Sequence, residues 1–163
     1  MPERPPFDPY AILAALERRR VAYVVIGSFA RVIRGAEELP DGLDIVPSLR
    51  PQNLQRLEDA LADLEVVGAR ISFDDNPEAV IRAASPAGEL KIVPEPEGTG
   101  GYDDLRRAAT REPLGRGLRP SVASTGDLAR MLAALGREVD RPKLQALRQV
   151  AELERSLGPE LAL

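Results

Sequence analysis

Apolar residues fall at helical spacing at Ile12, Leu13 and Leu16, run unbroken from Val21 to Ile26, and return to helical spacing at Leu54, Leu57, Leu61 and Leu64. Asp8 followed by Pro9 is a favourable helix start, so a first helix is expected over about residues 9 to 20. The β-branched run ending at Gly27 suits a strand covered on both faces. Residues 28 to 34 read as a short helix closed by Gly35, and Leu43 to Val46 as a second strand ended by Pro47. Pro51, at a first helical position, opens the helix that carries the four leucines.

Asn76-Pro77 signals another short helix to about Ala84, and after the Pro86-Ala87-Gly88 turn a strand is expected over Glu89 to Val93. Residues 94 to 101, PEPEGTGG, form a loop whose glycines serve a tight reversal or, as the alternative, cradle a phosphate. Tyr102 to Ala109 reads as helical and Ser121 to Ala123 as an edge strand. Ser124, with Asp127 three residues on, caps a helix to about Leu135. A last helix from Arg141-Pro142 carries Leu144, Leu147, Val150, Leu153 and Leu157. Alternating helices and short strands predict an α/β or α+β sheet layered by helices. At 163 residues, one domain accounts for the whole chain, 1–163.

Composition narrows the chemistry sharply. The chain has neither cysteine nor histidine, which excludes thiolate zinc sites, disulfides, Cys or His nucleophiles and Ser-His-Asp triads. A carboxylate inventory favours a hard cation such as Mg²⁺ where a metal binds at all. A net charge of -4 argues against a general nucleic-acid coat. The opening MPERPPFDPY lacks the pattern of a signal peptide, and no apolar run reaches the roughly 18 residues that cross a bilayer, so a cytoplasmic location without membrane contact is expected. Lysine occurs only at Lys91 and Lys143, against 20 arginines. The run Arg18-Arg19-Arg20 suits the negative end of the first helix as a solvated turn.

Gly27-Ser28-x-Ala30, LDIV at 43–46, GELKIVPEPEGTGGYDDLRRAA at 88–109 and SVASTGDLARMLAALGREVDRPKLQAL at 121–147 together resemble the nucleotidyltransferase superfamily. That superfamily has the polymerase-beta-like fold and includes minimal nucleotidyltransferases and abortive-infection and toxin–antitoxin members. The resemblance covers about residues 8 to 155. It implies a small mixed sheet flanked by helices over about 8–123, with C-terminal helices packed alongside over about 124–157. It also implies that Gly27, Ser28 and Arg31 hold nucleotide phosphates at a helix start. The alternative is that Gly27 only permits a sharp turn and Ser28 caps the helix.

The same resemblance implies a metal site of Asp-x-Asp on one strand and a third Asp on its neighbour. Side chains two apart on a strand share a face, so two carboxylates grip one Mg²⁺ pair. Aligning Asp44 with the second acid places Gly42 on the first, and glycine supplies no ligand. Asp41 next door faces the other way unless a bulge turns it. The third acid falls on Lys91, whose ammonium repels a divalent ion and pairs with Asp44. Glu89 shares the face of Lys91 and is a possible substitute, displaced along the strand. A further family lysine falls on or near Leu132. Gly136, Arg137 and Asp140 match a Gly-Arg-x-x-Asp pattern, with a salt bridge closing the inter-helix turn as the plainer role of the last two.

Three functions follow as expectations. The first is a catalytically impaired nucleotidyltransferase-fold protein, with Asp44 a residual acid and Lys91 in place of another. It needs no cofactor and binds a nucleotide or a protein partner of toxin or antitoxin type. The second is an active transferase using Mg²⁺ on Asp44 with Asp41 or Glu89, moving a nucleotide to an RNA, protein or small-molecule acceptor. The third is an interaction domain whose cleft between Gly27 and Lys91 is plugged by side chains; an open polar cleft favours either of the others.

Overall fold

The computed structural model describes residues 6–161 except 75, 77 and 78, and the side chains of that range up to 157. Helix α1 (Pro9–Arg18) leads into strand β1 (Tyr23–Ile26), helix α2 (Gly27–Ile33) and strand β2 (Gly42–Pro47). Helix α3 (Pro51–Asp63) precedes strands β3 (Ile81–Ser85) and β4 (Gly88–Ile92). Helix α4 (Tyr102–Leu105), strands β5 (Thr110–Arg111) and β6 (Ser121–Val122), and helices α5 (Thr125–Leu135) and α6 (Arg141–Leu161) complete the chain, with a short 3₁₀ turn at Glu138–Asp140.

The strands form one mixed sheet in the order β3-β4-β2-β1-β6-β5. Neighbours β3 and β4, β2 and β1, and β6 and β5 are antiparallel, whereas β4 and β2, and β1 and β6, are parallel. Every residue of β1 is buried, as its unbroken apolar run requires. Ile12, Leu13 and Leu16 of α1 and Leu57 and Leu61 of α3 are fully buried, so the helical spacings in the sequence mark their core faces. Asp8 caps α1 by accepting from Ala11 N, and Ser124 caps α5 by accepting from Asp127 N.

Several expectations are corrected. The segment before Ala84 is a strand, not a helix; β3 pairs with β4 through the turn at Pro86-Ala87, with Gly88 at φ +120°. Pairing with a neighbouring strand outweighs the helical propensity of its alanines. Pro77 lies outside the described residues. Strand β6 is interior, because β5, a pair of residues with no sequence pattern to announce it, covers its far side. Helix α1 ends at Arg18, with Arg20 at φ +56°, and α4 stops at Leu105. On α6 Leu147 is buried, but Leu153 and Leu157 stand exposed, so the apolar stripe outruns the surface available to cover it. Among the described residues no helix is long and apolar enough to cross a membrane.

Candidate functional site

The C-terminal end of β1 and the face of β2, β4 and β3 open onto one cleft, with α5 along its side and residues 95–99 at its rim. Its volume is about 940 Å³. It is open rather than plugged, and it is lined by Gly27, Ser28, Arg31, Asp41, Gly42 and Asp44 together with Glu89 and Lys91. All the residues singled out in the sequence for binding or catalysis therefore share one cavity.

The centre of the floor is set by strand register. In the parallel β2–β4 ladder Gly42 lies beside Glu89 and Asp44 beside Lys91. Lys91 Nζ stands 3.9 Å from Asp44 Oδ2, with both side chains largely covered. This is an ion pair longer than a hydrogen bond. Burial pushes the Asp44 carboxyl above its ordinary value; Lys91 and then Arg31 pull it back, while Glu89 and Asp41 add to the rise. Glu89 is engaged by Arg82 of β3, 3.2 Å away.

Gly27 has φ +75°, and a Cβ built there would lie 2.4 Å from Asp44 Oδ2. The turn from β1 into α2 and the Asp44 carboxylate are therefore pressed together, and only glycine fits between them. Ser28 does not cap α2, whose N-cap is Ile26 without a side-chain hydrogen bond. Arg31 is clamped by Glu38 at 2.7 Å, with both side chains nearly covered. That hydrogen bond holds the Glu38 carboxyl below its ordinary value. Lys143, at the start of α6, also reaches Glu38 at 3.7 Å. Nothing in the sequence spacing announces Glu38 or Lys143, since loop and helix meet only in the fold.

The remaining walls follow from the C-terminal unit. Leu128, Met131, Leu132 and Leu135, at positions i, i+3, i+4 and i+7 of α5, line one side. An apolar wall thus stands where the resemblance expects a lysine. Arg137 lines the cleft but donates to buried Asp140 at 2.6 Å, closing the turn between α5 and α6. In the 94–101 loop Gly101, at φ +79°, would place a Cβ 2.9 Å from Pro94 O, so its glycine serves the tight reversal.

Asp44 and Lys91 sit where the resemblance puts two of three acids, and Gly42 where it puts the other. Among the described residues no group of three or more acids lies close enough to hold a metal ion. One carboxylate with an ammonium at its side does not fit a Mg²⁺ pair, which needs several oxygen ligands at about 2.0–2.1 Å.

Solved structures with this architecture include a lincosamide antibiotic adenylyltransferase, LnuA, with lincomycin bound. It shares 16% identity over 89% of this chain and 99% of its own, with a TM-score of 0.58. A Thermotoga maritima protein assigned to the nucleotidyltransferases matches at 0.60, with 16% identity over 85% of this chain and 88% of its own. The antibiotic-resistance factor ANT(2'')-Ia matches at 0.55, with 19% identity over 93% and 83%. This chain has the nucleotidyltransferase fold. No protein-family model matches the sequence, and no curated protein does either.

Proposed function

We propose that this nucleotidyltransferase-fold protein is impaired in metal-dependent transfer and acts by binding a ligand or a protein partner at the Gly27–Lys91 cleft. The observation that carries this reading is the Lys91 ammonium 3.9 Å from Asp44, beside Gly42. Two unit charges about 4 Å apart interact by about 4 kcal/mol at an effective dielectric near 20, so an ammonium would oppose a divalent ion by about 8 kcal/mol. Phosphoryl transfer relies on charge neutralisation and positioning, and both are lost with the ion. The open cleft supports ligand binding over a domain without a pocket. A partner of toxin or antitoxin type rests on the sequence resemblance, and the compartment proposed is the cytoplasm.

Calorimetric titration with Mg²⁺ and each of ATP, CTP, GTP and UTP tests this. The expected result is no metal-dependent nucleotide binding in the micromolar range, and such binding would overturn the reading.

A second reading is an active transferase drawing on Asp41, Asp44 and Glu89, which line the cleft without forming a metal-holding cluster. The fold neighbours include adenylyltransferases of antibiotics, so a small-molecule acceptor is its natural form. It requires transfer of labelled nucleotide that Asp44→Asn abolishes.

A further inference from the structure

The floor of the cleft presents opposite charges with unused hydrogen-bonding capacity. Neither the Asp44 carboxylate nor the Lys91 ammonium makes a hydrogen bond to another described protein group, and their mutual approach of 3.9 Å is too long to count as one. The other cations that line the cleft among the described residues are paired: Arg31 with Glu38 at 2.7 Å, Arg137 with Asp140 at 2.6 Å and Arg82 with Glu89 at 3.2 Å. Both side chains reach the open cleft, so a ligand that supplies both a donor and an acceptor makes a charge-assisted hydrogen bond to each.

Strand register gives this pair a direction. Arg82 of β3 lies opposite Lys91, and Lys91 opposite Asp44, so charge along this row runs positive, positive, negative from β3 to β2. A ligand carrying only a phosphate would meet Asp44, and one carrying only an amine would meet Lys91. A dipolar head, with its carboxylate toward Lys91 and its ammonium toward Asp44, satisfies both. Gly42, two residues before Asp44 on β2 and beside Glu89, contributes no side chain to the cleft. Along the side, Leu128, Met131, Leu132 and Leu135 offer an apolar surface to the rest of the molecule. Methionine makes such a wall adaptable in shape.

We infer that the cleft binds, without metal, a small zwitterion with an apolar side group, of the chemical class of an apolar α-amino acid. Its α-carboxylate faces Lys91, its α-ammonium faces Asp44, and its side group lies on α5. This rests on the reading that the Lys91–Asp44 pair takes the place of a metal site.

The test titrates the full chain with L-leucine in EDTA and without nucleotide, followed by calorimetry and by NMR shifts of residues around the cleft. N-acetyl-L-leucine and L-leucinamide each remove one charge from the ligand, and each is expected to bind about 10- to 100-fold more weakly, the range for lost hydrogen bonds to charged groups. Lys91→Met is expected to abolish the advantage of leucine over leucinamide, and Asp44→Asn its advantage over N-acetyl-leucine. The ligand series needs no variant, so it decides the matter even where a substitution impairs folding. Absence of saturable leucine binding, or binding of either derivative as tight as that of leucine, overturns the inference. Failure here with no Mg²⁺-nucleotide binding leaves the proposed function standing, whereas micromolar Mg²⁺-nucleotide binding removes its foundation.

Discussion

Replacing Gly27 by alanine adds one methyl group at the most constrained point of the cleft. The backbone there has φ +75°, where a residue with a Cβ costs about 1–2 kcal/mol. The new Cβ would also lie 2.4 Å from Asp44 Oδ2 and 2.9 Å from Asp44 Cγ, so the carboxylate must swing away from its place beside Lys91. Forcing an extra carbon into a packed site costs about 1–3 kcal/mol more. Gly27→Ala is therefore expected to destabilise the chain by about 2–5 kcal/mol, a large share of the roughly 5–15 kcal/mol typical of a domain. Urea unfolding followed by circular dichroism measures the loss. The same substitution in an Asp44→Ala background keeps the backbone cost and sheds most of the collision, so its effect should fall to about 1–2 kcal/mol. A Gly27→Ala variant within about 0.5 kcal/mol of the parent, the range of an inconsequential surface change, would refute this account of the turn.

Three further outcomes are expected. Lys91→Met removes the strongest influence that lowers the Asp44 carboxyl, so its titration by carbon NMR should move further up from the ordinary carboxylate value. An unchanged midpoint would show that the pair is too loose to matter. Glu38 titrates below its ordinary value in the fold, so it contributes stability above that value and loses it as pH falls through the lowered folded value. Glu38→Gln should therefore lower the urea midpoint at neutral pH and narrow the gap in acid. Arg34 donates to the carbonyls of Val122 and Ala123, to Thr110 and to Glu112, tying α2 to β5 and β6. Arg34→Ala removes these four hydrogen bonds and is expected to cost about 2–4 kcal/mol, with faster amide exchange concentrated at β5 and β6.

What the sequence discloses, and what it withholds, follows range of interaction. Strand β1, its Gly27 turn and the helices α1, α3 and α5 are local patterns of apolar spacing, caps and a glycine, and they can be read directly. Strand β3 could not be, because IRAAS has no alternation strong enough to outbid the Asn76-Pro77 helix signal; its identity comes from β4 across the turn. Strand β5 is too short to carry a pattern. In the cleft, the partnership of Asp44 with Lys91 could be anticipated from the two strands and the resemblance. The capture of Arg31 by Glu38 and Lys143 could not, because it depends on where a loop and a distant helix come to rest. The cap of α5 announces the helix but not its apolar wall, since the periodicity that buries Leu128 and Leu132 also presents them to the cavity.

The closeness of Gly27 and Asp44 bears on how variants of this protein are interpreted. Trimming the aspartate to alanine changes the mould against which a left-handed glycine is cast, so an altered phenotype would mix chemistry with the shape of the bend. Asparagine keeps the outline of the side chain while removing its charge. It is the substitution that asks about charge alone.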